Sequence, residues 1–406
     1  MTLITIVIPT HNRQVYAAEA VRKIIAVLPS AQIIVSDTSA DDRLRAMLPA
    51  ETVEYVRPDR PMDVVSHFEF ALAGARGRYV MFIGDDDCIG PGLEKIAQWA
   101  DRCGVDAVVS YGDSFLANYF WPGVRSRFYG NGYASRLFVR PFTGTARRID
   151  AVAALRRTLR DLGSGLGNMP RVYHGLVSRA LIDKVKARYG TLFGGVTPDI
   201  YSAALISDQA ANVWQVDYPF CLPGGSPSST AGTGAAGTDL TSLAEHPHTA
   251  AFADLRWDPA LPAFYAPHNV WAYSLKKAVD RIERTDLRPN LARVYAVSLL
   301  RHRRQRAKIL AARSSSASPW LAITWEIARE LVFQTRRYAI RLTAPKAGGT
   351  AIRFDDLPDI SAAYDRLEQY IADRGIVLKL PDCASAREPA PGTIRNEQPR
   401  SLAAAR

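Results

Sequence analysis

The sequence predicts an α/β protein: a doubly wound, mostly parallel sheet flanked by helices, followed by a basic, helical C-terminal region. Three observations predict it. Short β-branched runs alternate with segments of helical spacing over the first hundred-odd residues. The carboxyl ends of the expected strands read PTHNR, SDTS, RPDR and GDDD, all polar, as befits the rim where such sheets bind ligands. Residues 281–345 hold 14 Lys/Arg against four acids, so most of the chain's net charge of +11 sits there.

The elements follow in order. LITIVIP (Leu3–Pro9) is a β-branched run without alternation, the pattern of a strand buried on both faces. Val15–Leu28 has helical spacing, Gln32–Asp37 and Val53–Arg57 read as strands, and Val64–Ala75 is helical, ending near Gly74 and Gly77. Tyr79–Ile83 is the next strand, Gly92–Gly104 the next helix, and Asp106–Asp113 another strand. Phe115–Phe138 is rich in aromatics, Gly and Arg and reads as irregular structure or short strands. Arg148–Gly163 and Arg179–Gly190 read as helices, and Trp320–Leu342 mixes apolar residues and arginines at roughly helical spacing.

The expected organisation is an α/β domain over 1–220, a Gly/Ser/Thr-rich loop over 221–245, a helical basic region over 246–383 and a disordered tail over 384–406. The loop reads equally as a lid or a linker. Four cysteines without a CxxC pair do not suggest a disulfide framework, which points to a reducing cytosol. The N-terminus lacks a basic region before its short apolar run, and no run of about 18 apolar residues occurs. The expected location is therefore cytoplasmic, at the inner face of a membrane if the basic region meets lipid. That region has three readings: a solvated helical face, a peripheral contact with an anionic bilayer, or nucleic-acid binding. The last is disfavoured, because no helix-turn-helix, zinc or RNP-like pattern is present.

One stretch carries the chemistry. GRYVMFIGDDDCIGPG runs from a buried strand into three adjacent carboxylates, Asp85, Asp86 and Asp87. Like charges so close repel, and burying them is costly unless something neutralises them. Either the triplet is an acidic turn before a helix N-terminus, or it meets a cation with phosphate behind it.

TIVIPTHNR at the start, IIVSDTS some thirty residues on and GRYVMFIGDDD…PG near residue 85 together resemble the family 2 glycosyltransferases of the GT-A fold. The resemblance is good over about residues 1–115 and traceable to about 220. It implies a metal-dependent, inverting enzyme that moves a sugar from a nucleoside-diphosphate donor, commonly UDP-linked, to an acceptor hydroxyl. Residue by residue, it implies that Pro9, Thr10, His11, Asn12 and Arg13 form the first nucleotide-binding turn and that Asp37 contacts the base. Asp85 to Asp87 match the acidic (DXD) motif, with Asp86 or Asp87 in direct contact with Mg²⁺ or Mn²⁺ and Asp85 holding the ribose or binding through water. The expected acceptor is a glycan or lipid-linked glycan of bacterial envelope polysaccharide synthesis.

Many family members read Asp-x-Asp-Asp, whereas Gly84 holds the first slot here. Inversion requires a base for the acceptor proton. The family places it in a Glu-Asp pair about a hundred residues on, where this chain reads Pro198-Asp199. Asp199 is the candidate base, and it also reads as a helix N-cap. His174 reads as structural or as completing the metal shell. GGSPSST (Gly224–Thr230) reads as a source of backbone N–H groups for phosphate. A nucleotidyltransferase is disfavoured by the lack of glycine after the first strand. Gly84 and Pro198 leave an alternative open, a degenerate sugar-nucleotide-binding or scaffold protein with a basic, membrane-contacting C-terminal region.

Overall fold

The computed structural model describes residues 2–110, 114–229, 242–343 and 346–387. Its centre is an eight-stranded sheet that starts with strand β1 (Ile4–Thr10). The chain continues through helix α1 (Gln14–Val27), β2 (Gln32–Asp37), α2 (Arg43–Met47), β3 (Val53–Val56), α3 (Val64–Ala73) and β4 (Tyr79–Phe82). After β5 (Cys88–Ile89) come α4 (Leu93–Cys103), β6 (Ala107–Val109), β7 (Ala117–Phe120), β8 (Arg136–Val139), β9 (Ala146–Ile149) and α5 (Ala151–Arg160). Next are β10 (Gly175–Ser178), α6 (Arg179–Tyr189), α7 (Pro198–Gln209), β11 (Val213–Val216), β12 (Cys221–Leu222) and β13 (Gly224–Gly225).

The strand order is β3-β2-β1-β4-β10-β6-β11-β9. Only β10 and β9 run against the other six. The fold class expected from the alternation is therefore borne out. The lack of alternation in β1 has its reason in the packing. Ile4, Ile6 and Ile8 enter the core on one face and Val7 enters it on the other. In β4, Tyr79 and Met81 oppose Val80 and Phe82 in the same way.

The second half is helical: α8 (Pro247–Ala250), α9 (Pro267–Ile282), α10 (Leu291–Arg301), α11 (Arg306–Ser316) and α12 (Trp320–Thr343). The chain then turns back with β14 (Ile352–Phe354), α13 (Ile360–Asp373) and α14 (Cys383–Arg387). No described helix is long and apolar enough to cross a membrane.

Four expectations change. Residues 346–387 do not extend the helical region. β14 pairs with β8 in a second sheet, and Lys23 on α1 pairs with Asp365 on α13. Ile360, Tyr364 and Leu367 enter the same core as β1. The tie is covalent as well, since Cys103 and Cys383 form a disulfide, although the cysteine spacing pointed away from one. The expected loop from residue 221 begins instead as two short strands, because β12 pairs with β5 and β13 with β7. Its residues 230–241 lie outside the described residues, as do 388–406 of the expected tail. Arg148 and Ile149, expected to open a helix, end strand β9 beside β11, and Asp150 caps α5 by accepting from Ala153 N at 2.9 Å.

Candidate active site

Strands β1, β2 and β4 deliver their polar ends to one rim. The parallel register sets Thr10 against Asp37. The turn after β1 is fixed by short polar contacts to the turn after β2. Asn12, at φ 55°, donates its N–H to Ser39 Oγ at 2.7 Å, while its own Oδ1 accepts from Ala40 N at 3.1 Å. Asparagine tolerates this left-handed conformation better than most residues. His11 Nδ1 lies 3.0 Å from Thr38 O and is exposed at the rim. Pro9 is buried within β1, opposite Ser36.

Asp37 is fully buried. Its Oδ1 accepts from Ser39 N at 2.8 Å and its Oδ2 from the Tyr55 hydroxyl at 2.9 Å, with Arg57 Nη1 3.9 Å away. Tyr55 and Arg57 come from β3 and the residues just after it. The sequence offered only the polar RPDR end as a sign of them.

The triplet follows β4, and all three carboxylates are buried. Asp85 Oδ2 accepts from Thr10 Oγ1 at 2.7 Å. Its Oδ1 has no hydrogen bond and faces Arg13 Nη2 at 3.1 Å. Asp86 Oδ1 lies 3.7 Å from Arg13 Nη1, and its Oδ2 accepts from Ser226 N at 2.8 Å. Asp87 is engaged on both oxygens. Oδ1 accepts from Gly224 N at 2.7 Å, and Oδ2 meets His174 Nε2 at 2.6 Å and Gly84 N at 2.6 Å. The Tyr173 hydroxyl is 3.3 Å from that same Oδ2.

These surroundings separate the three acids. Burial pushes Asp85 up to about 7 against the pull of Arg13, and burial together with the charge of Asp87 raises Asp86. Burial opposes ionisation of Asp87 too, yet His174 and the two backbone N–H groups hold its pKa below the ordinary carboxylate range. The site thus holds one firmly anchored anion and two further carboxyls that share the single guanidinium of Arg13. Asp85 Oδ1 and Asp86 Oδ1 both face Arg13, and they are the carboxylate oxygens of the pair that a cation would take over. Two carboxylates plus diphosphate oxygens and water suit Mg²⁺ or Mn²⁺. Asp87, expected beside Asp86 on the metal, has its oxygens committed inside the fold. Among the described residues no group of three His, Cys, Asp or Glu forms a cage made by protein alone.

Two glycines are dictated by the site. A Cβ on Gly84 would lie 2.8 Å from the Tyr173 hydroxyl and 2.9 Å from Asp87 Oδ2, so the motif's usual first carboxylate has no room here. A Cβ on Gly224 would lie 1.7 Å from Asp86 O. That closeness brings the β13 backbone against the triplet, where Trp121 Nε1 also donates to Asp86 O at 2.9 Å. The GGSPSST N–H groups of Gly224 and Ser226, expected to face phosphate, are spent on Asp87 and Asp86. Thr230 of that segment lies outside the described residues.

The segment 170–199 closes the site. Phe82 N donates to Val172 O at 2.7 Å and His174 N to Phe82 O at 2.9 Å, stitching Tyr173 and His174 beside β4. His174 itself stands at φ 61°, a strained backbone for histidine. Asp199 lies in the first turn of α7, and the N-cap position expected for it is held by Thr197, whose side chain makes no capping hydrogen bond. The turn before it is pinned by Ser274 Oγ on α9, which accepts from Val196 N and Thr197 N, each at 2.9 Å. Asp199 is partly accessible. Burial raises its pKa, opposed by the Ile200 N–H and the charges of His174 and Arg171. The candidate base is therefore brought within electrostatic reach of the triplet's anchor.

Residues 5–163 match the family model described as glycosyl transferase family 2. No curated protein matches the chain. TarS of S. aureus aligns at 15% identity and TM-score 0.37, over 55% of this chain and 37% of that one. The alignment thus spans well under two thirds of that protein's length. TarS 1–349 in complex with UDP-GlcNAc aligns at 15% identity and TM-score 0.43, over 74% of this chain and 72% of that one. The mannosyltransferase PcManGT from Pyrobaculum calidifontis, in complex with GDP-Man and Mn²⁺, aligns at 14% identity and TM-score 0.35. That alignment covers 81% of this chain and 84% of that one.

Proposed function

We propose an inverting glycosyltransferase that takes a UDP-linked sugar and transfers it to an acceptor hydroxyl, a reading that starts from the match of residues 5–163 to the family 2 model. The observation that carries this reading is the pair of buried carboxyls, Asp85 and Asp86, opposed by Arg13 alone at the exit of a parallel sheet. Such a pair is stabilised by a divalent cation with a diphosphate behind it.

The roles follow from the contacts. Asp37, oriented by Ser39 N and the Tyr55 hydroxyl, presents a carboxylate to a ring N–H of the base, which suits uracil. Pro9 to Arg13 form the wall beside it, and Arg13 pairs with the diphosphate once a cation takes over the acids. Asp86, with Asp85, would hold Mg²⁺ or Mn²⁺; the resemblance put Asp85 on the ribose, and its Oδ1, which accepts no hydrogen bond and faces Arg13, supports a place beside the metal. Asp87 positions the turn through His174 and Gly224. When bound, the cation stabilises charge on the departing diphosphate as a Lewis acid. Asp199 takes the acceptor proton, and burial raises its pKa, which makes it the stronger base. The acceptor class that fits the reading is a glycan or lipid-linked glycan of an envelope polymer.

The experiment is UDP release from a panel of UDP-sugars with candidate acceptors. Asp199→Asn is expected to lower turnover by about 10²–10⁴-fold with UDP affinity unchanged. Equal turnover in the variant would remove Asp199 from the chemistry.

A further inference from the structure

Helix α12 is inside out. Its carboxylates, Glu326 and Glu330, face the protein and are buried. Glu330 accepts from Arg293 Nη2 at 2.6 Å and Arg301 Nη2 at 2.7 Å, while Glu326 accepts from Asn290 Nδ2 at 3.0 Å and Arg329 Nη1 at 2.9 Å. The opposite face is apolar: Leu321 is 84% exposed, Trp325 68%, Val332 54% and Leu331 51%. At about 100° per residue these four, with Thr324, Ala328 and Leu342, fall inside a stripe roughly 120° wide. Even the hydroxyls turn inward, since Thr324 Oγ1 donates to Trp320 O at 2.6 Å and Thr335 Oγ1 to Leu331 O at 2.9 Å. A 24-residue helix is about 36 Å long, and the exposed apolar side chains recur along it from Leu321 to Leu342.

Charge selects what covers it. Residues 301–343 contain ten Lys/Arg and two acids, and both acids are the buried glutamates. Arg303, Arg304, Arg306 and Lys308, just before α12, and Arg336 on it are exposed. Arg313 lies over the Trp320 ring, 4.7 Å from its centroid. A second copy would bring like charges together, whereas an anionic bilayer attracts them and accepts the apolar face as well.

We propose that α12 docks the protein on an anionic lipid bilayer, lying in the headgroup plane with Leu321, Trp325, Leu331 and Val332 toward the acyl chains. The helix does not span, and the buried glutamate–arginine pairs hold its outward face in place. This goes beyond the transfer reading and stands without it.

The test is flotation of the full chain with phosphatidylcholine vesicles, with and without about 30 mol% phosphatidylglycerol, at low and high salt. Binding is expected only with the anionic lipid and is expected to weaken with salt. Trp325→Glu with Val332→Glu should reduce it at least tenfold. Arg304→Glu with Arg336→Glu, which leaves the apolar stripe intact, should cost about fivefold per removed arginine. Melting temperature and UDP affinity should be unchanged in both variants. Equal binding to neutral vesicles, or no binding to either composition, would overturn the proposal. So would a concentration-dependent dimer in sedimentation that Trp325→Glu with Val332→Glu dissociates, since a second copy would then own the face.

Discussion

His174 Nε2 lies 2.6 Å from Asp87 Oδ2, and this contact orders the acidic turn. The imidazole reaches it from a left-handed backbone at φ 61° beside β4. His174→Ala removes the partner of a buried carboxylate and places alanine in a conformation it resists. Thermal unfolding is expected to show a loss of about 1–3 kcal/mol, together with weaker UDP–Mn²⁺ binding. His174→Asn, which tolerates that backbone and keeps an N–H donor, should recover part of both.

Asp85 and Asp87 respond to pH in opposite senses. Asp87 is depressed by His174, so its stabilising contribution is present above its unfolded pKa and lost as pH falls through the folded one. Asp85 is raised to about 7 by burial, so its contribution is present below its unfolded pKa and lost as pH rises through about 7. Without divalent cation, the melting temperature should fall between pH 5 and 8, and fall less in Asp85→Asn. Mn²⁺ with UDP should flatten the wild-type profile, because a cation favours the ionised pair. Identical slopes in wild type and Asp85→Asn would show that Asp85 ionises without strain.

The disulfide Cys103–Cys383 closes 280 residues of chain and ties α14 to α4, beside the bond from Trp99 Nε1 to Pro381 O at 2.8 Å. Reduction, or Cys383→Ser, should lower stability by about 2–4 kcal/mol, the usual range for a disulfide. Protease cleavage near 383–387 should appear on reduction while UDP affinity holds. Mass spectrometry of the unreduced chain checks the pairing directly.

What could be read from the sequence was local. The β-branched run of β1, the strand ending at Asp37 and the apolar strand leading into Asp85, Asp86 and Asp87 each declare themselves within ten residues. Their parallel pairing then puts Thr10, Asp37 and the triplet on one rim. What could not be read pairs residues far apart with no periodicity to announce it. Gly224 and Ser226 clamp carboxylates some 140 positions earlier. The return of 346–387 to the first core and the Cys103–Cys383 bridge left no pattern in spacing. Gly84 looked like a departure from the family motif, and the Tyr173 hydroxyl and Asp87 Oδ2, both within 3 Å of a Cβ there, explain it. The inward turn of Glu326 and Glu330 was hidden because roughly helical spacing does not say which face is covered.

The central claim is that Asp85 and Asp86 await a cation and a nucleoside diphosphate. Calorimetric titration of UDP, against other nucleoside diphosphates, with Mn²⁺ and with EDTA, tests it most directly. The account predicts metal-dependent binding that prefers UDP and is lost in Asp86→Ala while the melting profile stays cooperative. Binding to no nucleotide with metal present and the fold intact, or equal binding by Asp86→Ala, would contradict it.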